Sequence, residues 1–280
     1  MTKTKVGICY RPWLHNDFLN KIAENVDSIE VMPDATQLED IRQIKNIATQ
    51  HNLSIATHCL RSSLAQVGGY QSENIKNYFL CNEFLNSCYY SDHLAYSYIG
   101  DTYLSTVQPI KFTYKNLKLV ANNLEKLSKN IPGKILIENI VQDTLFKENE
   151  LTEAEFFNEL MKCTPRNVRL LFDLTNMVVT AHNNNYSFEN YIHQYPFDSV
   201  ESIHVSGYTE KDRLFVDSHN VDINMNQARK LAIILNKSNA KHLYVERDFN
   251  VTSFSDVARD LNLLQNIVKD TSITTLDSLT

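Results

Sequence analysis

Eight short apolar segments, each followed by a stretch with helical spacing, run through this chain, and six in succession end in histidine or an acid. The clearest is Leu170-Leu171-Phe172-Asp173-Leu174-Thr175-Asn176, led in by Val168. It stops in a carboxylate, with an amide three residues on. An apolar run without polar alternation reads as a strand covered on both faces, the mark of a parallel sheet. A carboxylate at the C-terminal end of such a strand stands where barrel and open α/β proteins keep reactive groups.

The other strands are expected at 6–10, 28–32, 54–58, 89–93, 134–139, 200–205 and 242–248. Helical spacing follows each. Leu117, Val120, Leu124 and Leu127, for example, share one face of a segment at 114–130, and Thr152-Glu153-Ala154-Glu155 carries a capping box. A loop of about twenty residues after His93, rich in Tyr and Ser, is too long for a simple connection and is expected to be a lid or substrate loop. Eight strand–helix units without a break in composition predict one TIM-type (β/α)8 barrel over residues 1–270, with a polar C-terminal tail at 271–280.

Composition narrows the function. The net charge is −6 and no stretch is strongly basic, so nucleic acid is not an expected partner. No apolar run approaches the roughly 20 residues of a membrane span, and the N-terminus lacks the long apolar segment of a signal peptide. Five cysteines, an odd number with no CxxC pair, fit a reducing cytoplasm.

Strands three to eight end in His58, His93, Glu138, Asp173, His204 and Glu246, which a barrel brings to one mouth. A single histidine at a strand end is usually a hydrogen-bonded structural residue. Six such groups buried together without a cation would be costly in desolvation and repulsion. Imidazole and carboxylate suit iron, manganese or zinc, and the lack of cysteine in the set argues against an iron–sulfur or closed structural zinc site. Asn176, Asp217 and His219 lie just beyond the strands and extend the set to more ligands than one ion needs, which favours two or three ions. His182 is a weaker candidate, Glu30 reads as a supporting residue, and Cys59 as core. Asp248, two residues past Glu246, is either an ion-pair partner at the rim or a group that moves a proton at the centre.

Thr57-His58-Cys59, Ser91-Asp92-His93-Leu94, Ile137-Glu138-Asn139, Phe172-Asp173-Leu174-Thr175-Asn176, His204-Val205-Ser206-Gly207-Tyr208, Asp217-Ser218-His219 and Glu246-Arg247-Asp248-Phe249 occur in that order. Together they resemble the multinuclear non-heme iron-dependent oxidases that tailor ribosomally made peptides, the MbnB and TglH type, from about Ile8 to Val257. The resemblance implies two or three irons (Fe2+/Fe3+), dioxygen as oxidant and a cysteine-containing precursor peptide as substrate. It also implies a small leader-binding partner protein in a heterodimer. The product would be an oxazolone beside a thioamide, or a peptide from which the cysteine β-carbon has been excised. Carried over, His58, His93 and Glu138 hold one iron, and Asp173, His204 and Glu246 a second with Glu138 shared. Asn176, Asp217 and His219 hold a third. Two positions depart from the pattern: Asn184 where many members have His, and Asp34-Ala35 where many have Glu-Asn. The rival enzyme reading is a divalent-metal TIM-barrel isomerase or phosphodiesterase, and the non-enzymatic one a metal-dependent scaffold.

Overall fold

A computed structural model describes residues 4–12, 16–70 and 72–277 of the chain. Strand and helix alternate as β1 (Lys5–Cys9), α1 (Asn16–Ala23), β2 (Ser28–Val31), α2 (Leu38–His51), β3 (Ser54–Cys59), α3 (Ser72–Leu85) and β4 (Tyr90–His93). A hairpin of β5 (Tyr96–Ile99) and β6 (Thr102–Gln108) precedes α4 (Tyr114–Ser128), β7 (Ile135–Glu138), α5 (Glu153–Cys163) and β8 (Val168–Asp173). Two helices follow, α6 (Leu174–Asn183) and α7 (Phe188–Gln194), then β9 (Val200–Ser206). A second hairpin, β10 (Tyr208–Lys211) and β11 (Leu214–Asp217), leads to α8 (Met225–Lys237), β12 (His242–Glu246) and α9 (Ser255–Asp277).

Among the described residues, eight strands close into a barrel in the order β1-β12-β9-β8-β7-β4-β3-β2, every neighbouring pair that is registered being parallel. This is the (β/α)8 barrel that the sequence predicts. The pleat divides each apolar strand between two cores. Ile135 and Ile137, Leu170 and Phe172, Ile203 and Val205, and Leu243 and Val245 pack outward beneath the helices. Cys9, Ala56, Tyr89, Leu136, Leu171 and Tyr244 form a separate cluster inside the barrel. Two residues further along the same strands, on the same inward face, come His58, Ser91, Glu138, Asp173 and Glu246. The polar mouth is therefore the next layer above an apolar plug. Gly7 makes room for that plug: a Cβ there would lie 2.6 Å from the Tyr244 ring and 2.4 Å from Ser28 Oγ.

Two expectations change. The stretch after His93 is not a plain loop but a two-stranded antiparallel hairpin at the mouth, and the stretch after Ser206 forms a second one. The strand that carries Asp173 ends there as expected, and Asn176, just beyond it, sits in the first turn of α6. The last helix continues to Asp277, into the stretch expected to be a tail, while residues 278–280 lie outside the described residues. The capping box at Thr152 and Glu155 forms as its sequence requires, and Leu117, Val120, Leu124 and Leu127 are the buried face of α4.

Candidate metal centre

Glu138, at the end of β7, is the hub of the mouth. Its Oε2 lies 3.3 Å from His58 Nε2 and 3.2 Å from His93 Nε2, and its Oε1 lies 3.3 Å from His204 Nδ1. His204 Nδ1 is also 3.6 Å from Glu246 Oε2. Among the described residues, donor atoms fall into three overlapping groups, each within 4.8 Å: His58, His93 and Glu138; Glu138, Asp173, His204 and Glu246; and Cys9, His204 and Glu246. Asp217 and His219 form a pair on the rim, with His219 Nε2 2.8 Å from Asp217 Oδ1. His219 Nδ1 lies 3.2 Å from Asp248 Oδ2 and 3.9 Å from Glu246 Oε2, which joins the rim to the buried groups.

Several of these side chains are held from behind. Ser91 Oγ donates to Thr57 O at 3.1 Å and lies 2.9 Å from His58 Nδ1, so Nδ1 carries the hydrogen and Nε2 a bare lone pair. Glu30 Oε1 lies 2.8 Å from His204 Nε2, and Glu30 Oε2 accepts from Tyr89 OH at 2.7 Å, which turns His204 Nδ1 toward Glu138. Asn139 brackets Asp173, giving its amide to Asp173 O and accepting the Asp173 N–H. Asp173 Oδ1 in turn caps α6 by accepting from Asn176 N–H at 2.6 Å. The Asn176 carboxamide donates to Asn139 O at 2.9 Å, leaving its Oδ1 as the atom it can offer. His219 has a positive φ of 50° and is fixed by its N–H on Gly207 O and by Asp248 N–H on its own carbonyl. Gly207 is needed for that turn, because a Cβ would fall 1.9 Å from Val221 O.

The residues fit a metal. Glu138 Oε2, Asp173 Oδ2 and His204 Nδ1 are buried polar atoms without a hydrogen-bond partner. Burial, despite nearby carboxylates, lowers the His58 pKa and favours its neutral form, so its lone pair faces a carboxylate oxygen at 3.3 Å with no proton between them. A cation resolves that conflict, and nitrogen with carboxylate oxygen is the donor set that iron, manganese and zinc take.

Charge in the metal-free protein is strongly perturbed. Burial opposes the His93 charge, but Glu138 and Asp92 outweigh it and lift its pKa to about 9. Burial would raise Glu30, yet His204 draws it down to about 2. The folded value of His93 lies above its ordinary value of 6.5, so its proton stabilises the metal-free fold fully below that pH. The contribution is lost as pH rises through about 9. A metal must displace this proton. Uptake of metal at pH 7 is expected to release protons, and affinity to rise by about tenfold per pH unit for each proton displaced. Weakly buffered titration at pH 7 and above 9 checks this; no proton release at pH 7 contradicts it.

Sequence reasoning missed Arg11, which binds Glu246 and Asp248, and gave no part to Cys9, whose thiol lies 3.3 Å from Glu30 Oε1. Both stand on the inward parity of β1, the available signal. His182 is outside the donor groups, stacked on Phe215 of β11 with Nε2 3.0 Å from Arg213 O. Asn184 ties loops together through Gln142 O, Thr180 O and Leu145 N–H. Asp34 accepts from Tyr78 OH and pairs with Arg61, which lies over the Tyr103 ring of β6.

Fold and site together define a class: (β/α)8 barrels with a histidine–carboxylate cluster at the C-terminal mouth. The chain belongs to the RiPP precursor modification enzyme family MbnB/TglH/ChrH, whose profile matches residues 5–269. It is 26% identical to a UPF0276 protein of Shewanella loihica over 94% of each chain. A UPF0276 protein of Psychromonas ingrahamii is 28% identical over 63% of this chain and 62% of that one. Among solved structures, a xylose isomerase domain protein from Planctomyces limnophilus superposes with a TM-score of 0.63 at 13% identity, covering 96% of this chain and 99% of that one. D-psicose 3-epimerase from Clostridium cellulolyticum H10 gives 0.57 at 15%, covering 98% and 97%. These likenesses establish the barrel fold. Family membership implies a ribosomally synthesised precursor peptide as substrate. No helix of the described residues is long and apolar enough to cross a membrane.

Proposed function

We propose that this protein is a cytoplasmic non-heme iron-dependent oxidase that uses dioxygen to modify a cysteine of its precursor peptide. The observation that carries the reading is the set of overlapping donor groups sharing Glu138, His204 and Glu246 in a chain of this family. His58, His93 and Glu138 would hold one ion, Asp173, His204 and Glu246 a second with Glu138 shared, and Asn176, Asp217 and His219 a third. Iron bound there supplies one-electron redox chemistry and open coordination positions that a cysteine thiolate can take.

The chain's own groups orient and move protons. Ser91, Glu30 and Asn139 fix His58, His204 and Asp173 from behind. Asp248 is the half-buried carboxylate at the rim, and it takes a proton from the peptide at Oδ2, the oxygen that Arg11 leaves free. Burial alone would raise its pKa; His219 and Arg11 reverse this and hold it below the usual carboxylate range. It is therefore a weak base, adequate for a thiol or amide acidified by a metal. Asp248→Asn is expected to retain bound metal and slow turnover at least about tenfold, or about 1.4 kcal/mol of barrier. Unchanged turnover removes Asp248 from the chemistry.

The substrate is a cysteine-bearing precursor peptide, presented by a small leader-binding partner protein in a heterodimer. Anaerobic reconstitution with iron, followed by elemental analysis and oxygen-uptake measurement with peptide and partner, tests the reading. Two or three irons and peptide-dependent uptake are expected. One tight zinc and no uptake would favour a divalent-metal isomerase or phosphodiesterase.

A further inference from the structure

Arg11 lies at the same mouth, two residues beyond Cys9, and is only 9% exposed. All three guanidinium nitrogens are engaged. Nε donates to Asp248 Oδ1 at 2.5 Å, Nη2 to Glu246 Oε1 at 3.1 Å and Nη1 to Tyr10 O at 3.1 Å. The other carboxylate oxygens face the imidazoles. Glu246 Oε2 lies 3.6 Å from His204 Nδ1 and 3.9 Å from His219 Nδ1, and Asp248 Oδ2 lies 3.2 Å from His219 Nδ1. One oxygen of each carboxylate is thus occupied and one is left toward the centre.

We propose that Arg11 is a positioning residue that makes Glu246 present a single oxygen to metal on the His204–His219 side of the mouth, while holding Asp248 with Oδ2 turned toward His219. The proposal rests on the reading of the mouth as a metal centre. An unrestrained carboxylate can grip an ion with both oxygens and close a coordination position. One whose second oxygen is held by a buried guanidinium binds through one oxygen and leaves that position for a substrate atom. The planar fork is what allows Nε and Nη2 to hold two carboxylates at once, whereas a lysine is a point charge on a flexible stem. The rival account is purely structural. Arg11 lies two residues past the end of β1 and Glu246 ends its partner strand β12, so the ion pair could simply tie those segments together.

Cobalt(II) loading of the full chain separates the two accounts, because its visible absorption reports coordination number. Wild type, Arg11→Lys and Arg11→Met are compared by circular dichroism, thermal melting, chelator competition and cobalt spectrum. Arg11→Lys keeps the charge and carries the test if Arg11→Met does not fold. The expected result is a native dichroism signal for Arg11→Lys, with the affinity for at least one cobalt changed tenfold or more. The cobalt spectrum should shift toward higher coordination. A cobalt spectrum and affinities identical to wild type, with only a lower melting temperature, overturn the proposal and leave Arg11 as a tie between those segments. Wild-type protein that takes up no metal would instead contradict the metal reading, and this proposal with it.

Discussion

Glu138→Gln is expected to abolish stable metal binding and, with it, activity. Glu138 belongs to two of the three donor groups, and its oxygens face three imidazoles. Glutamine preserves volume but offers one neutral oxygen where the site has a charge shared among His58, His93 and His204. Metal affinity should fall by more than about 100-fold, beyond the usual effect of changing a residue that only supports a ligand. The metal-free fold should survive. Without the carboxylate, His93 loses the largest influence holding its pKa near 9 and can shed its proton. Elemental analysis after desalting, with circular dichroism on the same sample, checks both halves. Retention of wild-type metal content would show that Glu138 is not shared between ions.

Asp173→Asn should separate metal binding from stability. Burial first, and then Glu138, Asp217 and Glu246, push the Asp173 carboxyl well above its ordinary range, which favours its neutral form in the metal-free protein. Its Oδ1 caps α6 and its backbone is bracketed by Asn139, while Oδ2 has no partner. Asparagine is as good a cap as aspartate, so metal-free stability should change by less than about 0.5 kcal/mol. It cannot supply an anionic oxygen to an ion, and affinity at the Asp173–His204–Glu246 group should drop by more than about 100-fold. Asp173→Ala, the contrast, loses the cap and about 1 kcal/mol besides. If Asp173→Asn melts much earlier than wild type without metal, Asp173 serves the fold and not an ion.

The mouth was legible because period two is a strong signal when both faces of a strand are covered. Ala56 to His58, Leu136 to Glu138, Leu171 to Asp173 and Tyr244 to Glu246 are one inward step each, and the polar member stands out against an apolar run. The start of α6 was not legible. Leu174 through Ala181 are all buried, the polar Thr175, Asn176 and Thr180 included, so the helix has no exposed face to reveal its period, and only Asp173 as a cap marked its start. The β10–β11 hairpin turns through Asp212 and Arg213, both at positive φ, without the Asn-Gly or Asp-Gly pair that announces such turns. The β5–β6 turn did carry a glycine, Gly100 at φ 58°, between strands too short and mixed in polarity to read. Arg11 was missed for a chemical reason: a search for metal ligands looks for histidine and acids, and an arginine holding those acids leaves no such trace.

Peptide mass spectrometry tests the central claim most directly. Iron-loaded protein, its cysteine-bearing precursor peptide and the partner protein are incubated with and without dioxygen, alongside a peptide carrying serine for the cysteine. A mass change in the cysteine peptide that needs both dioxygen and iron, and is absent from the serine peptide, is the predicted result. A mass change that persists without dioxygen, or in the serine peptide, would contradict oxidation of cysteine as the activity.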